Sequence, residues 1–251
     1  MSVKGEQYMK DVQAVIQSNT RIADQVYELK LSVSDFPKAE PGQFVQAEIP
    51  GCFLRRPFSI AFADETEIIL LYKTVGEGTA ILSRMKEGEV LHVLGPLGTG
   101  FPVNKEDTLL IGGGMGLAPM YFMARKHASE QIPFKAVLGF ASRKDVFYEE
   151  QFKTLGVPCF IATMDGTLGT KGTVLDAIRE NSITEQYVLS CGPMGMLKAL
   201  QKEYSRGCLS LEARMACGAG LCMGCVVKDK EGNALRVCKD GPVFPIGKVV
   251  L

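Results

Sequence analysis

The sequence predicts a mixed β and α/β protein: an antiparallel β-barrel over residues 1–103, a parallel-sheet α/β unit over 104–205, and a small cysteine-rich unit over 206–251. Three observations carry that division. Short runs of alternating apolar and polar residues, with no long helix between them, fill residues 12–95. A regular alternation of strand and helix takes over near residue 104. Four of the eight cysteines then crowd into residues 217–238, on a stretch rich in glycine.

In the first unit, Tyr27, Leu29 and Leu31 alternate with Glu28 and Lys30, the period of a half-buried strand. Phe44–Ile49, Ser59–Phe62, Glu67–Lys73 and Val90–Leu94 are further strands, broken by Pro41-Gly42, Pro50-Gly51, Asp64 and Gly88. Five or six such strands imply a closed antiparallel sheet. In the second unit, Thr108–Ile111 is a strand running into three glycines. Leu117–Glu130 is then a helix, Ala136–Phe140 a strand, Val146–Leu155 a helix and Cys159–Thr163 a strand. Val174–Glu180 (helix), Tyr187–Ser190 (strand) and Met194–Tyr204 (helix) complete the pattern of a parallel sheet covered on both faces. The last unit has too few apolar residues for its own core and needs a metal or a neighbour to fold.

Lysine plus arginine and aspartate plus glutamate both number 28. A zero net charge argues against a nucleic-acid or membrane-surface partner. No apolar run reaches the ~18 residues of a membrane span, and the N-terminal MSVKGEQYMK lacks the apolar stretch of a signal peptide. A cytoplasmic location is therefore expected, with reduced cysteines. The only histidines, His92 and His127, are remote from the cysteine group, so a metal site there is nearly all sulfur.

Cys217, Cys222, Cys225 and Cys238 follow the spacing C-x4-C-x2-C-x12-C. The first three have the spacing of plant-type [2Fe–2S] sites. Gly218, Ala219, Gly220 and Gly224 let backbone N–H groups approach the sulfurs. Val226–Lys228 and Ala234–Val237 read as a hairpin that returns Cys238 to the other three. Zinc also takes four cysteines, but zinc ribbons pair two C-x2-C knuckles and only one is present. These cysteines are expected to hold a [2Fe–2S] cluster, with zinc as the competing metal.

Two nucleotide sites are also expected. Arg56-Pro57-Phe58-Ser59 is weak evidence alone. It gains weight from the Leu71-Tyr72-Lys73 strand and from Gly76-Glu77-Gly78-Thr79 opening a helix, where N–H donors suit a pyrophosphate. Arg56 adds a bidentate phosphate contact. Beside an α/β nucleotide unit, these residues suit a flavin dinucleotide. Gly112-Gly113-Gly114-Met115-Gly116-Leu117-Ala118-Pro119 follows a strand and opens a helix, as a dinucleotide fingerprint does, although Pro119 stands in place of the third glycine. No acidic residue ends the second strand, so NAD and NADP are not distinguished there. Cys191-Gly192-Pro193 ends a later strand at the ligand-binding edge of such sheets. Cys191 is either a nicotinamide contact or a small buried hydrophobe. Asp165 reads as a cap on the turn to Gly166.

In this order the pieces resemble the ferredoxin-reductase superfamily and, within it, the electron-transfer subunits of NAD-dependent (class 1B) dihydroorotate dehydrogenases. The resemblance rests on Pro41-Gly-Gln-Phe44, Arg56-Pro-Phe-Ser59, Leu94-Gly-Pro-Leu-Gly98, Gly112–Pro119, Cys191-Gly-Pro193 and, most specifically, Leu211-Glu-Ala-Arg-Met-Ala-Cys217. It implies that Arg56, Pro57, Phe58, Ser59, Leu71, Tyr72, Lys73, Gly78 and Thr79 contact FAD. It implies that Gly113, Gly114, Gly116, Pro119, Cys191, Gly192 and Pro193 serve NAD. It also implies an FMN-containing dihydroorotate dehydrogenase catalytic subunit as partner, in a heterotetramer with two copies of each chain. Met215 and Leu221, beside the cluster ligands, either meet that partner or pack on this chain's own barrel. Two other readings remain at this level. One is a flavin and iron–sulfur subunit of another assembly, of the ferredoxin:NADP reductase, sulfide dehydrogenase or hydrogenase kind. The other is a zinc-stabilised binding module that keeps a nucleotide fold as scaffold.

Overall fold

The computed structural model describes residues 9–251. The first eight residues, within the polar N-terminal stretch, lie outside the described residues. Strands β1 (Lys10–Ala23), β2 (Val26–Ser32), β3 (Phe44–Glu48), β4 (Arg56–Ala63), β5 (Glu67–Lys73) and β6 (Val90–Leu97) close into a barrel in the order β1-β2-β5-β4-β3-β6. Every pairing in it is antiparallel. The expected barrel is present, and its first strand, absent from the sequence-derived strands, is the longest at 14 residues. Register shifts after Ile16 and Arg21 interrupt its alternation and let it bend to pair with both β2 and β6. Ala14, Ile16, Leu29, Leu31, Val45, Ala47, Ile60 and Leu70 fill the interior. The short helix α1 (Glu77–Leu82) is tied to it by Asn19, whose amide donates to the carbonyls of Leu82 and Met85 while its oxygen accepts from Tyr72 Oη at 2.8 Å.

The second unit is a sheet of β7 (Thr108–Gly113), β8 (Phe134–Phe140), β9 (Cys159–Thr163), β10 (Thr170–Lys171), β11 (Tyr187–Cys191), β12 (Arg206–Ser210) and β15 (Val243–Pro245), in the order β10-β9-β8-β7-β11-β12-β15. All pairs are parallel except β12 with β15. Helices α2 (Leu117–Ser129), α3 (Glu149–Lys153), α4 (Val174–Glu180) and α5 (Met194–Glu203) connect them. Strand order reverses between β7 and β11, so the loops leaving those two strands meet at the switch point. The helix expected over Val146–Leu155 is shortened to Glu149–Lys153. Tyr148 holds a left-handed conformation, and Phe147 and Tyr148 are buried in the core instead of starting a helix. No helix among the described residues is long and apolar enough to cross a membrane.

The cysteine-rich segment leans on its neighbours, as its shortage of apolar residues requires. Its strands β12 and β15 extend the parallel sheet, so the sheet runs across residue 205. Between them lies a hairpin of β13 (Val226–Lys228) and β14 (Ala234–Arg236). Phe244 on β15 is 3% exposed and shares a core with Phe44 of the barrel, Leu209 of β12 and the cysteines Cys225 and Cys238.

Barrel and α/β unit are joined along α2, which packs on β4. Phe122 meets Phe62 edge to face at 5.8 Å, and the Arg125 guanidinium lies 3.7 Å over the Phe62 ring. Tyr148 donates its hydroxyl to Glu28, Lys126 pairs with Glu40, and Lys73 approaches Asp145 at 3.5 Å.

Because Phe244 serves sheet, barrel and tail at once, Phe244→Ala is expected to cost about 3–5 kcal/mol. Urea unfolding should show a lowered midpoint with little change in slope; an unchanged midpoint would mean that the tail does not depend on this anchor.

Candidate functional site

Two clefts open at the junction of barrel and sheet. The first, of about 380 Å³, is lined on the barrel side by Phe44, Arg56–Ser59, Leu71–Lys73 and Thr79. From the other side Met115, Cys191, Ser210, Glu212 and Pro242 complete it. Pairing of β3 with β4 and β4 with β5 sets the Arg56–Ser59 and Leu71–Lys73 segments side by side. Eight of the nine residues expected at the flavin are thereby brought together. The ninth, Gly78, does not line the cleft. It is buried behind Arg56, where a Cβ would stand 3.0 Å from Nε. The Thr79 hydroxyl accepts from the N–H groups of Val75 and Gly76 and donates to Gly76 O, so it builds the turn. Arg56 donates to Leu54 O and has no carboxylate partner among the described residues, which leaves its fork available to an anion.

The second cleft, of about 510 Å³, lies over the switch point and is lined by Gly113, Gly114, Gly139–Ala141, Gly172–Leu175, Pro193 and Met196, among others. Gly113, Gly114 and Pro193 of the expected nucleotide residues face it. Gly116, Pro119, Cys191 and Gly192 do not. Gly116 is a packing residue: a Cβ there would stand 2.1 Å from the carbonyl oxygen of Cys191. Pro119 is buried within α2, and a Cβ on Gly192 would stand 3.0 Å from the backbone of Gly113. Cys191 is 2% exposed, its thiol is pushed by burial up to about 12, and it forms part of the wall of the first cleft. Asp165 accepts from the N–H and hydroxyl of Thr167 at 3.0 and 2.6 Å, the geometry of a turn cap. Lys73 and Met115 line both clefts, so the two share part of their walls.

The cysteine loop curls through Gly218, Gly220 and Met223, all with positive φ. Its backbone N–H groups point at sulfur. Gly220 donates to Cys238 Sγ at 3.2 Å, Leu221 and Cys222 to Cys217 Sγ at 3.2 and 3.4 Å, and Cys238 to Cys225 Sγ at 3.4 Å. Arg236 braces the loop by donating to Gly220 O at 3.0 Å and pairing with Asp240. Burial pushes the Cys217 thiol up, but the N–H donors of Cys222, Ala219 and Leu221 outweigh it and bring it down to about 6. Burial and the neighbouring Cys225 push Cys238 up to about 12. Among the described residues no three Cys, His, Asp or Glu side chains converge on a single ion position. The N–H of Cys222 reaches the sulfur of Cys217 and the N–H of Cys238 that of Cys225, which groups the four residues as two pairs. Two pairs suit two irons, each taking two thiolates. A tetrahedral zinc site needs four sulfurs about one point.

Two residues of the site escaped the sequence reading. Glu212 is exposed overall, but it lines the first cleft, where partial desolvation holds its carboxyl above the usual range. Its place within Leu211–Cys217 was the available signal. Gln46, on β3, is 1% exposed and touches the cysteine loop; nothing local marks it. Met215 lines the first cleft and packs in the core, whereas Leu221 is 83% exposed.

Known proteins share this arrangement. Residues 212–250 match the iron–sulfur cluster binding domain of dihydroorotate dehydrogenase B, and residues 110–202 match the oxidoreductase NAD-binding domain. The structure of an NADH-dependent reduced ferredoxin-NADP oxidoreductase superposes with a TM-score of 0.83 at 28% identity, covering 94% of this chain and 89% of that one. Phthalate dioxygenase reductase superposes with a TM-score of 0.66 at 17% identity, covering 94% and 77%. The fold is thus that of the ferredoxin-reductase-like flavoproteins. Among curated sequences, the dihydroorotate dehydrogenase B (NAD(+)) electron transfer subunit of Bacillus pumilus is 42% identical, with 97% of this chain and 99% of that protein aligned. That of Bacillus cereus is 41% identical, over 97% and 100%. The chain belongs to the family of dihydroorotate dehydrogenase B electron transfer subunits.

Gly116→Ala should destabilise the nucleotide-free protein by about 1–3 kcal/mol, as overpacking does, and so lower its thermal unfolding temperature; a glycine needed only for nucleotide contact would leave that temperature unchanged. For Glu212, a raised carboxyl means that the folded chain holds its proton more tightly than the unfolded chain, where Glu titrates near about 4.3. Its contribution to stability is present in acid and is lost as pH rises through the folded-state value. Glu212→Gln is therefore expected to be more stable than the parent at neutral pH and equal to it below about pH 4 in thermal scans. Equal stability throughout would contradict the raised carboxyl.

Proposed function

We propose that this chain carries electrons between a dihydroorotate-oxidising partner and NAD, using FAD in the first cleft, NAD in the second and a [2Fe–2S] cluster on Cys217, Cys222, Cys225 and Cys238. The observation that carries the reading is the meeting of three sites in one place. The two clefts share Lys73 and Met115, and Phe44 lies both in the wall of the first cleft and in the core around Cys225 and Cys238. Bound FAD supplies hydride exchange with nicotinamide and single-electron exchange with iron. Arg56 grips the dinucleotide's phosphates, Ser59 offers a hydroxyl to the flavin ring, and Gly113 and Gly114 let the second nucleotide approach the backbone at the switch point. The N–H groups of the cysteine loop spread the negative charge of the thiolates and favour the reduced cluster.

Oxidising dihydroorotate takes a base for a carbon-bound proton as well as a flavin for hydride. The partner is inferred to supply that base together with FMN, in an assembly with two copies of each chain. The net reaction is dihydroorotate plus NAD+ to orotate, NADH and a proton. All eight cysteines are free, in keeping with the cytoplasmic location we infer. Leu221 and Met223, 83% and 51% exposed beside the ligands, are assigned to the partner face. The resident-cluster reading is favoured over zinc by the paired thiols, and the dihydroorotate assembly over related flavin–iron assemblies by the full-length match to its family.

Anaerobically prepared protein is expected to hold iron and inorganic sulfide at about two of each per chain, with FAD. Cys222→Ser should lose iron and keep FAD and NADH-dependent dye reduction. Zinc in place of iron would refute the proposal, as would failure of the chain, mixed with its partner, to form NADH from dihydroorotate.

A further inference from the structure

β3 presents two faces. Val45 and Ala47 point into the barrel, while Phe44 and Gln46 point outward to the tail. Phe44 packs against the core that holds Cys225 and Cys238. Gln46, one turn of the pleat away, is opposite Pro57 on β4 and Leu94 on β6, and its side chain is 1% exposed. It meets the cysteine loop on both sides of one ligand. Its Nε2 donates to Ala216 O at 3.5 Å, just before Cys217. Just after it, a Cβ on Gly218 would stand 2.4 Å from Nε2 and 2.8 Å from Cγ. Gly218 itself has φ +64°, so the loop turns back at that point against the amide. The other end of the amide, Oε1, is buried with no hydrogen-bond partner. An unpaired buried acceptor is a standing cost to folding, and an apolar side chain of the same length would avoid it. The contact with the loop is the one thing in the structure that the amide supplies and such a side chain does not.

We propose that Gln46 is a positioning residue for the cluster: its amide, rooted in the barrel, clamps the backbone on either side of Cys217 and fixes the cluster's seat against the flavin cleft. This rests on the reading that the four thiolates hold iron. It deepens that reading by making the barrel, and not the tail alone, responsible for the cluster's properties.

The test uses the full chain prepared anaerobically, with FAD and iron loaded. Gln46→Met keeps the length and removes the amide. It is expected to release iron to a chelator at least threefold faster than the parent. The reduced-to-oxidised ratio of the cluster at fixed potential should also change at least threefold, about 28 mV for a one-electron couple at 59 mV per decade, read by titration with low-temperature paramagnetic resonance. The FAD content and flavin spectrum should be unchanged. A side chain that only fills space would leave the potential where it is. Gly218→Ala gives an independent reading should Gln46→Met fail to accumulate as a flavoprotein. In the parent it should speed iron release. In a Gln46→Ala background the clash with the amide is relieved while the strain of an alanine at φ +64° stays, so the added effect should shrink without vanishing. Parent-like release and potential in Gln46→Met, or an equal effect of Gly218→Ala in both backgrounds, would overturn the inference. A parent without iron would instead sink the cluster reading itself.

Discussion

Four thiols held in one loop cannot all ionise unless positive charge lies among them, and the tail of this protein is organised around that constraint. The loop spends its glycines and its backbone N–H groups on the sulfurs. It brings Cys217 down to about 6 while the crowded Cys238 rises to about 12. Such a loop is poised to bind iron and has little cause to stay folded alone, since its own hairpin strands are three residues each. Its stability is borrowed: β12 and β15 extend the parallel sheet, and the outer face of β3 closes the loop from the barrel side.

That borrowing also explains the position of the clefts. A sheet switch point creates one crevice, and a barrel strand pair creates another. Docking α2 on β4, with Phe122 against Phe62 and Arg125 over the ring, turns the two crevices toward each other. Lys73 and Met115 end up in both walls, and Cys191 and Glu212 close the first cleft from the sheet side. Chemistry that needs hydride on one side and single electrons on the other is suited to this layout, in which two clefts share walls beside the cysteine loop.

Much of this was legible locally. Glu67–Lys73, Cys159–Thr163 and Val174–Glu180 agree with the observed elements to the residue, because each is flanked by turn-forming residues and has a clear apolar period. β1 was not, because its register shifts break the alternation on which strand recognition depends. The Val146–Leu155 helix was overestimated because Phe147 and Tyr148 are drawn into the core, a tertiary demand that propensity does not record. In the site, spacing alone singled out the four cysteines, but their division into two pairs exists only in three dimensions. Gly116 and Pro119 carry the look of a phosphate loop and serve packing. Gln46 is joined to the site across a long stretch of chain, and no local pattern encodes it, whereas Glu212 sits in the Leu211–Cys217 run that leads into the cluster loop.

The most direct test of the central claim is to mix the purified chain anaerobically with NADH, freeze it within its turnover time and record the low-temperature paramagnetic resonance spectrum. The account predicts the rhombic signal of a reduced two-iron cluster, appearing with NADH alone and absent from Cys222→Ser. Flavin bleaching by NADH with no such signal would show that electrons stop at the flavin and would contradict it.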